Sequence, residues 1–521
     1  MADLPILPPE IISQILSELP TWGSRYNCLF VSRGFHDLVK STMYRDLHIP
    51  FIIHDRLVTL IRTVRRNAYL GIKTKSISLG EDPYDPHRSV ERIIGANDIT
   101  KLFPNLKRIE LFAMTFERTM LYRFFAYCAR TSGLEELVLH YPDLVPLVQK
   151  MGALKKLTWS FTSDDASPVL LADGSLAETE WIQAKWLDSL AKCCPELETL
   201  TVGSVNSHAG WGISDRTSVE YDDSMRDVVG PVKLEKLKEF NWVNAEGQTA
   251  AKCWAEVPTR VLDEHETQLE SIRWDFGNEY GGVSPDLFLG RIKRFTALKK
   301  LEIRYTLRAI WEFRGDPWPE DGPDINLQST RDLLFALSQW DPRGLQEFRI
   351  RFPIMGGDCE GEIKILQQLQ RAKNLKVLEM TWGLPLPTEG IFRTTMMKIA
   401  EDTTFYHWYF NEAKMAKFLR NIPESVETLI INFDGKHDTI DAYRQEQFER
   451  SRPEKQVKWK EEVWLKVQAI IHQKKTIPRA ILFDRAPNLQ NVYFGGYTLV
   501  EGGDTSLGLK SLSLSDSDSD S

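Results

Sequence analysis

The chain has 521 residues, of which 42% are hydrophobic, and its formal net charge is −8 at pH 7. This length exceeds that of one ordinary compact core, so we expect several domains or a repeat architecture. The acidic balance argues against nucleic acid as the main partner, because phosphate-binding domains normally carry an excess of lysine and arginine.

The distribution of cysteines and apolar residues indicates where the protein works. Six cysteines are scattered without Cys-x-x-Cys spacing, a pattern that favours reduced thiols over a disulfide framework. The first residues show no basic stretch leading into an apolar run, and no uncharged apolar stretch reaches about 18 residues. We therefore expect an intracellular protein, cytoplasmic or nuclear, with no membrane partner.

The first 49 residues have the period of short amphipathic helices. Pro8 and Pro9 suit the first turn of a helix, and Ile11, Ile15 and Leu19 then recur every four residues on one face. A later helix begins near Ser32. Three short helices in about forty residues bury too little surface to be stable alone, so this unit needs a neighbour.

The residues of this segment carry a family resemblance. The run Leu7-Pro8-Pro9-Glu10-Ile11-Ile12, followed by Ile15-Leu16, Leu19, Leu29-Phe30-Val31-Ser32-Arg33-Gly34-Phe35 and Leu38, resembles the F-box. The resemblance covers under a tenth of the chain. It implies docking to the Skp-family adaptor of cullin-RING ubiquitin ligases. Nine apolar residues would divide between the module's own small core and the adaptor interface: Leu7, Pro8, Ile11, Ile15, Leu16, Leu19, Leu29, Val31 and Phe35. The alternative is that these helices only cap the domain that follows.

The rest of the chain repeats one pattern, in which an apolar residue is followed three and five positions later by two more. Copies begin at Leu106, Leu134, Leu154, Leu197, Leu237, Leu269, Leu298, Leu345, Leu375, Val426, Leu489 and Leu509, and Ile77 with Leu79 forms an earlier partial copy. The last two apolar positions of a copy are two residues apart, so a short strand would point both to one side. Stacked strands of this kind would bury a continuous core.

This pattern resembles the leucine-rich repeat, although the spacing of copies is irregular. We therefore expect an α/β fold: a three-helix F-box, then an irregular leucine-rich-repeat-like solenoid with parallel strands inside, helices outside and large insertions. The predicted segments are 1–49 for the F-box, 50–100 for a linker and the solenoid start, 101–500 for the repeats, and 501–521 for a last partial repeat and a disordered Ser/Asp tail. Insertions at 383–423 and 435–475 receive no role.

No catalytic or cofactor motif is present. The sequence contains no Gly-x-Ser-x-Gly, no phosphate-binding glycine loop with Lys-Ser/Thr and no His-Glu-x-x-His, and its ten histidines are dispersed. We therefore expect no enzyme activity, no cofactor and no metal.

The variable positions of the repeats provide a candidate binding surface. Five cations on three consecutive copies would share the face away from the core: Arg273, Lys300, Arg304, Arg349 and Arg351. They would bind an anionic or phosphorylated motif of a substrate. The alternative is a balanced, solvated sheet face, because Asp275, Glu302 and Glu347 lie among them.

Together these features indicate a substrate-recognition subunit of a Skp-cullin-F-box ubiquitin ligase. The F-box would bind the adaptor, and the repeat domain would hold a protein substrate of unknown identity. The alternative function is an adaptor-binding scaffold without ubiquitin-ligase activity. Recruitment of a cullin separates the two, because both need the same F-box contacts.

Overall fold

The structure is a computed structural model, and part of the chain is described. The described residues are 11, 28, 31, 36, 39, 40, 43–49, 54–79, 102–112, 118–141, 144–162, 179–205, 233–244, 256–276, 288–305, 333–352, 360–383, 412–434, 486–494 and 497–499. The predicted last repeat from Leu509, the Ser/Asp tail and most of both insertions lie outside these residues.

The described strands form a single 14-stranded sheet in which the strand order is the chain order. Neighbouring strands are parallel from the first to the thirteenth, and the last pair is antiparallel. The strands are β1 (Asp46–Ile49), β2 (Ser76–Leu79), β3 (Arg108–Phe112), β4 (Glu136–His140), β5 (Lys156–Thr162), β6 (Thr199–Val205), β7 (Glu239–Asn244), β8 (Ser271–Phe276), β9 (Lys300–Tyr305), β10 (Glu347–Phe352), β11 (Val377–Gly383), β12 (Thr428–Asp434), β13 (Asn491–Phe494) and β14 (Tyr497–Leu499).

Helices connect the strands and cover one face of the sheet. The α-helices are α1 (His54–Arg66), α2 (Ala68–Lys73), α3 (Arg118–Arg130), α4 (Thr179–Cys193), α5 (Glu256–Glu264), α6 (Glu360–Leu369) and α7 (Glu412–Leu419). Short 3-10 turns lie at Ile292–Arg294, ahead of β9, and at Pro342–Gly344, between the helical residues 333–339 and β10.

The predicted apolar pattern sets the start of each strand. In the copy at Leu106, the Leu106 amide donates to the Phe103 carbonyl at 3.3 Å and closes a turn. The amides of Lys107 and Arg108 then both donate to the Lys75 carbonyl of the preceding repeat, at 2.8 and 3.0 Å. The same two-donor arrangement recurs from the Arg45 carbonyl to the amides of Gln490 and Asn491. This backbone ladder holds successive repeats in register.

Strand and helix aromatics fill the core between the sheet and its helices. Trp159 of β5 meets Trp186 of α4 edge to face at 5.5 Å, and both side chains are fully buried. Trp274 of β8 stacks on Phe288 at 4.8 Å, and Trp382 of β11 contacts Phe418 of α7. Trp159, Trp274 and Trp382 therefore lie on the helix-covered face of the sheet, where large rings bury the most apolar area.

The sheet begins inside the predicted F-box segment. Strand β1 starts at Asp46 and pairs with β2 through Asp46–Ser76 and Ile49–Leu79. Residues 54–79, predicted as part of a linker and solenoid start, form α1, α2 and β2. No separate linker lies between residue 43 and the first strand.

Close packing at Gly71 of α2 yields a test of this junction. A Cβ at this position would overlap the Leu102 carbonyl oxygen and lie 2.9 Å from Val64 Cγ1. We predict that Gly71→Ala lowers the free energy of unfolding by about 2–3 kcal/mol, because the overlap forces α2 away from the backbone at Leu102. Urea denaturation followed by circular dichroism measures the change.

Gly152→Ala is the matched control, because a Cβ there meets no atom within 4 Å. This variant should change stability by less than about 0.5 kcal/mol. Equal effects of the two substitutions would contradict the packing.

Candidate binding surfaces

The end of the F-box-like segment is packed onto the repeat domain. Val39 is 1% exposed and Met43 is 7% exposed, and Tyr44 and Leu47 pack against the continuous core. Because Leu47 lies in β1, the segment and the sheet share one apolar cluster. The segment therefore caps the first repeat with its last residues.

Two of the nine predicted adaptor-binding residues are described, and both are exposed. Ile11 is 42% exposed and Val31 is 64% exposed. An exposed large apolar side chain within a binding motif is a candidate contact for a partner protein. The other seven predicted residues, Leu7, Pro8, Ile15, Leu16, Leu19, Leu29 and Phe35, lie outside the described residues.

The sheet face opposite the helices is called the open face. It is formed by the variable positions of the repeats, and its composition changes along the sheet. On β3 and β4 it is charged: Arg108 contacts Glu136 at 3.0 Å and Glu110 at 3.1 Å, and His140 Nε2 lies 3.7 Å from Glu110 Oε1. Sequence reasoning missed this cluster, although the same positional rule that selected the cations also selects these residues.

The middle of the open face is rich in hydroxyl and amide groups. Thr158 of β5 and Thr201 of β6 are register partners, and Thr201 is in turn the partner of Asn241 of β7. The Asn241 amide donates to Thr201 Oγ1 at 3.1 Å. At Gly203 a side chain would meet the Val243 backbone, so this position requires glycine for close approach of two strands.

The five predicted cations lie together on strands β8, β9 and β10 of the open face. Register pairing places Arg273 beside Glu302, Lys300 beside Glu347, and Arg304 beside Arg351. The prediction that these positions share one face therefore agrees with the strand register.

Four of these cations, Arg273, Lys300, Arg304 and Arg349, form ion pairs with carboxylates. Arg273 donates two hydrogen bonds to Asp275, at 3.2 and 3.1 Å. Further ion pairs are Arg273–Glu302 at 3.8 Å, Lys300–Glu347 at 2.7 Å, Arg304–Glu302 at 2.5 Å, Arg349–Glu379 at 3.2 Å and Arg349–Glu347 at 3.6 Å. Together with Arg351 of β10, these groups form a charged lattice over β8–β11 instead of an isolated basic stripe.

The cations of the charged lattice are more exposed than its carboxylates. The Lys300 side chain is 54% exposed and that of Arg349 is 43% exposed, whereas Glu347 is 24% and Asp275 is 7% exposed. Burial raises the pKa of Asp275, although the Arg273 guanidinium opposes this shift. The exposed surface of the charged lattice therefore comes more from its cations than from its carboxylates.

Among the described residues, no group of three or more His, Cys, Asp or Glu side chains is arranged to hold a metal ion. No helix in the described ranges has the length and apolar character needed to cross a membrane.

A parallel sheet in chain order, with helices on one face, defines a leucine-rich-repeat-like solenoid. The predicted α/β solenoid is thereby confirmed. The crystal structure of the TLR13-ssRNA13 complex superposes with a TM-score of 0.30 and 11% identity, over 82% of this chain and 43% of that chain. The fold assignment comes from strand order and register, not from that superposition.

Residues 4–50 match the family described as F-box-like. The F-box protein COS111 of Kluyveromyces lactis is 32% identical over 80 residues, which is 15% of this chain and 11% of that protein. The chain therefore carries an F-box-like domain, and the prediction made from Leu7 to Leu38 is confirmed. The matched part spans only 11% of the length of that relative.

The cluster on β3 and β4 generates a pH-dependent prediction. The contact with His140, together with the nearby Arg108 guanidinium, lowers the pKa of Glu110 from 4.5 to about 2, against the opposing effect of burial. A carboxyl with a lowered folded-state pKa contributes stability above its unfolded pKa, and this contribution is lost as the pH falls towards 2. Glu110→Gln should therefore lower the free energy of unfolding by on the order of 2 kcal/mol at neutral pH.

The difference between Glu110→Gln and the unsubstituted chain should shrink at about pH 3, where the unfolded carboxyl is protonated. Urea denaturation at both pH values measures it. Glu196→Gln is the control, because the Glu196–Lys236 pair is exposed and should contribute less than about 1 kcal/mol. A pH-independent difference would show that the charge of Glu110 is not the cause.

Proposed function

We propose that this chain is a substrate-recognition subunit of a Skp-cullin-F-box ubiquitin ligase. The observation that carries the proposal is the F-box-like domain at residues 4–50 joined directly to a repeat sheet. An F-box-like domain supports binding to a Skp-type adaptor. The exposed apolar side chains of Ile11 and Val31 supply described contact residues for that partner.

The junction supports a fixed geometry between the two binding surfaces. Strand β1 ends the F-box-like segment and is hydrogen-bonded to β2, while Val39 and Met43 are buried. A bound adaptor would therefore keep one orientation relative to the open face. In this proposal the partners perform ubiquitin transfer, and the chain contributes proximity, which can replace a bimolecular encounter by an effectively local one.

The open face is the proposed substrate surface. The lattice cations Arg273, Lys300, Arg304, Arg349 and Arg351 support capture of an acidic or phosphorylated segment, because the positive side chains are the more exposed layer. We also propose that the chain works in the cytoplasm or the nucleus and has no enzyme activity of its own.

Substitutions at described, exposed residues test adaptor binding without disturbing the core. We predict that Ile11→Asp with Val31→Asp weakens adaptor binding by at least about thirtyfold, since apolar anchors can contribute about 2 kcal/mol or more each. Co-purification of the tagged full chain with recombinant adaptor and cullin, followed by quantitative mass spectrometry, measures the loss.

Phe335→Asp is the matched control, because Phe335 is 71% exposed and lies in the helical residues 333–339 of the repeat domain. It should retain adaptor and cullin. Retention of both partners by the F-box variant would reject the proposed interface. Adaptor without cullin on the unsubstituted chain would support the scaffold function instead.

A further inference from the structure

The charged lattice has the geometry of a docking surface for an acidic peptide segment. Its cations are more exposed to solvent than the carboxylates with which they pair. The first residues of strands β9 to β13 pair with one another and form a row across the sheet. This row consists of Lys300, Glu347, Val377, Thr428 and Asn491. Between Glu347 and the end of the parallel strands, this row contains no further carboxylate among the described residues.

The chain itself contains an acidic segment that follows the last described strand. Residues Ser515–Ser521 alternate serine with Asp516, Asp518 and Asp520 and contain no cation. We call this segment the Ser/Asp tail. Its three carboxylates carry the charge opposite to that of the lattice cations.

The position of β14 places the start of the connecting chain beside the same row of the sheet. Leu499 is paired with Val492, so β14 ends where the parallel strands begin. Four strand spacings of about 4.8 Å separate β14 from β10, a span of roughly 19 Å. The connection from Leu499 to Asp516 is 17 residues long, and an unstructured chain of that length would span roughly 23 Å on average. A connection of this length is therefore long enough to reach the lattice.

We propose that the Ser/Asp tail docks on the charged lattice of its own chain. Surface ion pairs are individually weak and already have intramolecular competitors here, so an untethered acidic peptide of this length should bind poorly. Tethering changes this outcome, because a linker whose average length matches the span produces a local concentration in the millimolar range. The same weak contact is then occupied for a large part of the time.

Docking of the tail would place an internal competitor on the surface proposed for an acidic substrate. This inference uses the described lattice and the sequence of the tail, and it holds whether or not the chain recruits a cullin. An acidic substrate segment would have to displace the tail. Salt would weaken both interactions by screening the exposed charges.

Zero-length cross-linking of the full chain tests the docking. A carbodiimide joins a carboxylate to a lysine amine only when the two are in contact, so amide links should form between the tail aspartates and Lys300. Arg304→Glu with Arg349→Glu should reduce the yield of these links about fivefold, although Lys300 itself is not substituted. Mass spectrometry of proteolytic fragments measures the yield.

Lys107→Glu with Lys236→Glu is the matched control for net charge. Lys107 is 54% exposed and 2.7 Å from Glu135, the same exposure and separation as Lys300 and Glu347, and Lys236 is similarly exposed and paired with Glu196. The control should leave the yield at Lys300 unchanged. An equal decrease in both variants, or equal linkage of the tail to Lys107 and Lys300, would reject specific docking.

Mixing isotopically heavy and light chains separates docking within a chain from docking between chains. Links within one chain should persist on dilution, whereas mixed heavy–light links would show that a second copy is the occupant and overturn the proposal. A synthetic peptide of residues 511–521, added to a chain that lacks them, should bind only in the millimolar range. Phosphoserine at positions 515, 517 and 519 should tighten that binding severalfold, because each phosphate adds charge.

Discussion

The arrangement depends on one backbone constraint: two consecutive amides at the start of a strand share a single carbonyl of the preceding repeat. This interaction requires no particular side chain, so the repeats can vary in length and still align. It also explains how strands as far apart in sequence as β12 and β13 pair in register. Buried backbone groups need partners, and the ladder supplies them before each parallel pairing begins. The side chains of the open face can therefore differ from one repeat to the next.

The periodic apolar residues allowed most of the sheet to be predicted. Copies beginning from Leu106 to Leu489 correspond to β3–β13, because alternation forces the second and third apolar residues onto the helix-covered face. Strand β14 was not predicted, because its antiparallel pairing lacks the repeat pattern. The start of the sheet at Asp46 was also not predicted, since residues 1–49 were assigned as a whole to the helical F-box.

The open face was predictable in position but not in electrostatics. The spacing rule identified Arg273, Lys300 and Arg349 as neighbours, and the register agrees. The sequence also showed acidic residues among them. The sequence does not show how exposed each charged group is, because exposure depends on side-chain length and on contacts between adjacent strands. The buried position of Asp275 is an example, since alternation alone predicts a solvent-facing carboxylate.

The direct connection of β1 to the F-box-like domain also makes the repeat number a measure of distance. Seven strand spacings separate β1 from β8, which corresponds to roughly 34 Å along the sheet. Loss or gain of one repeat would move the charged lattice by about 4.8 Å relative to any partner bound at the first 45 residues. Changes in the long connections, by contrast, would leave that separation intact. Evolution of the connections can therefore alter the partner that is bound without altering its distance from the F-box-like domain.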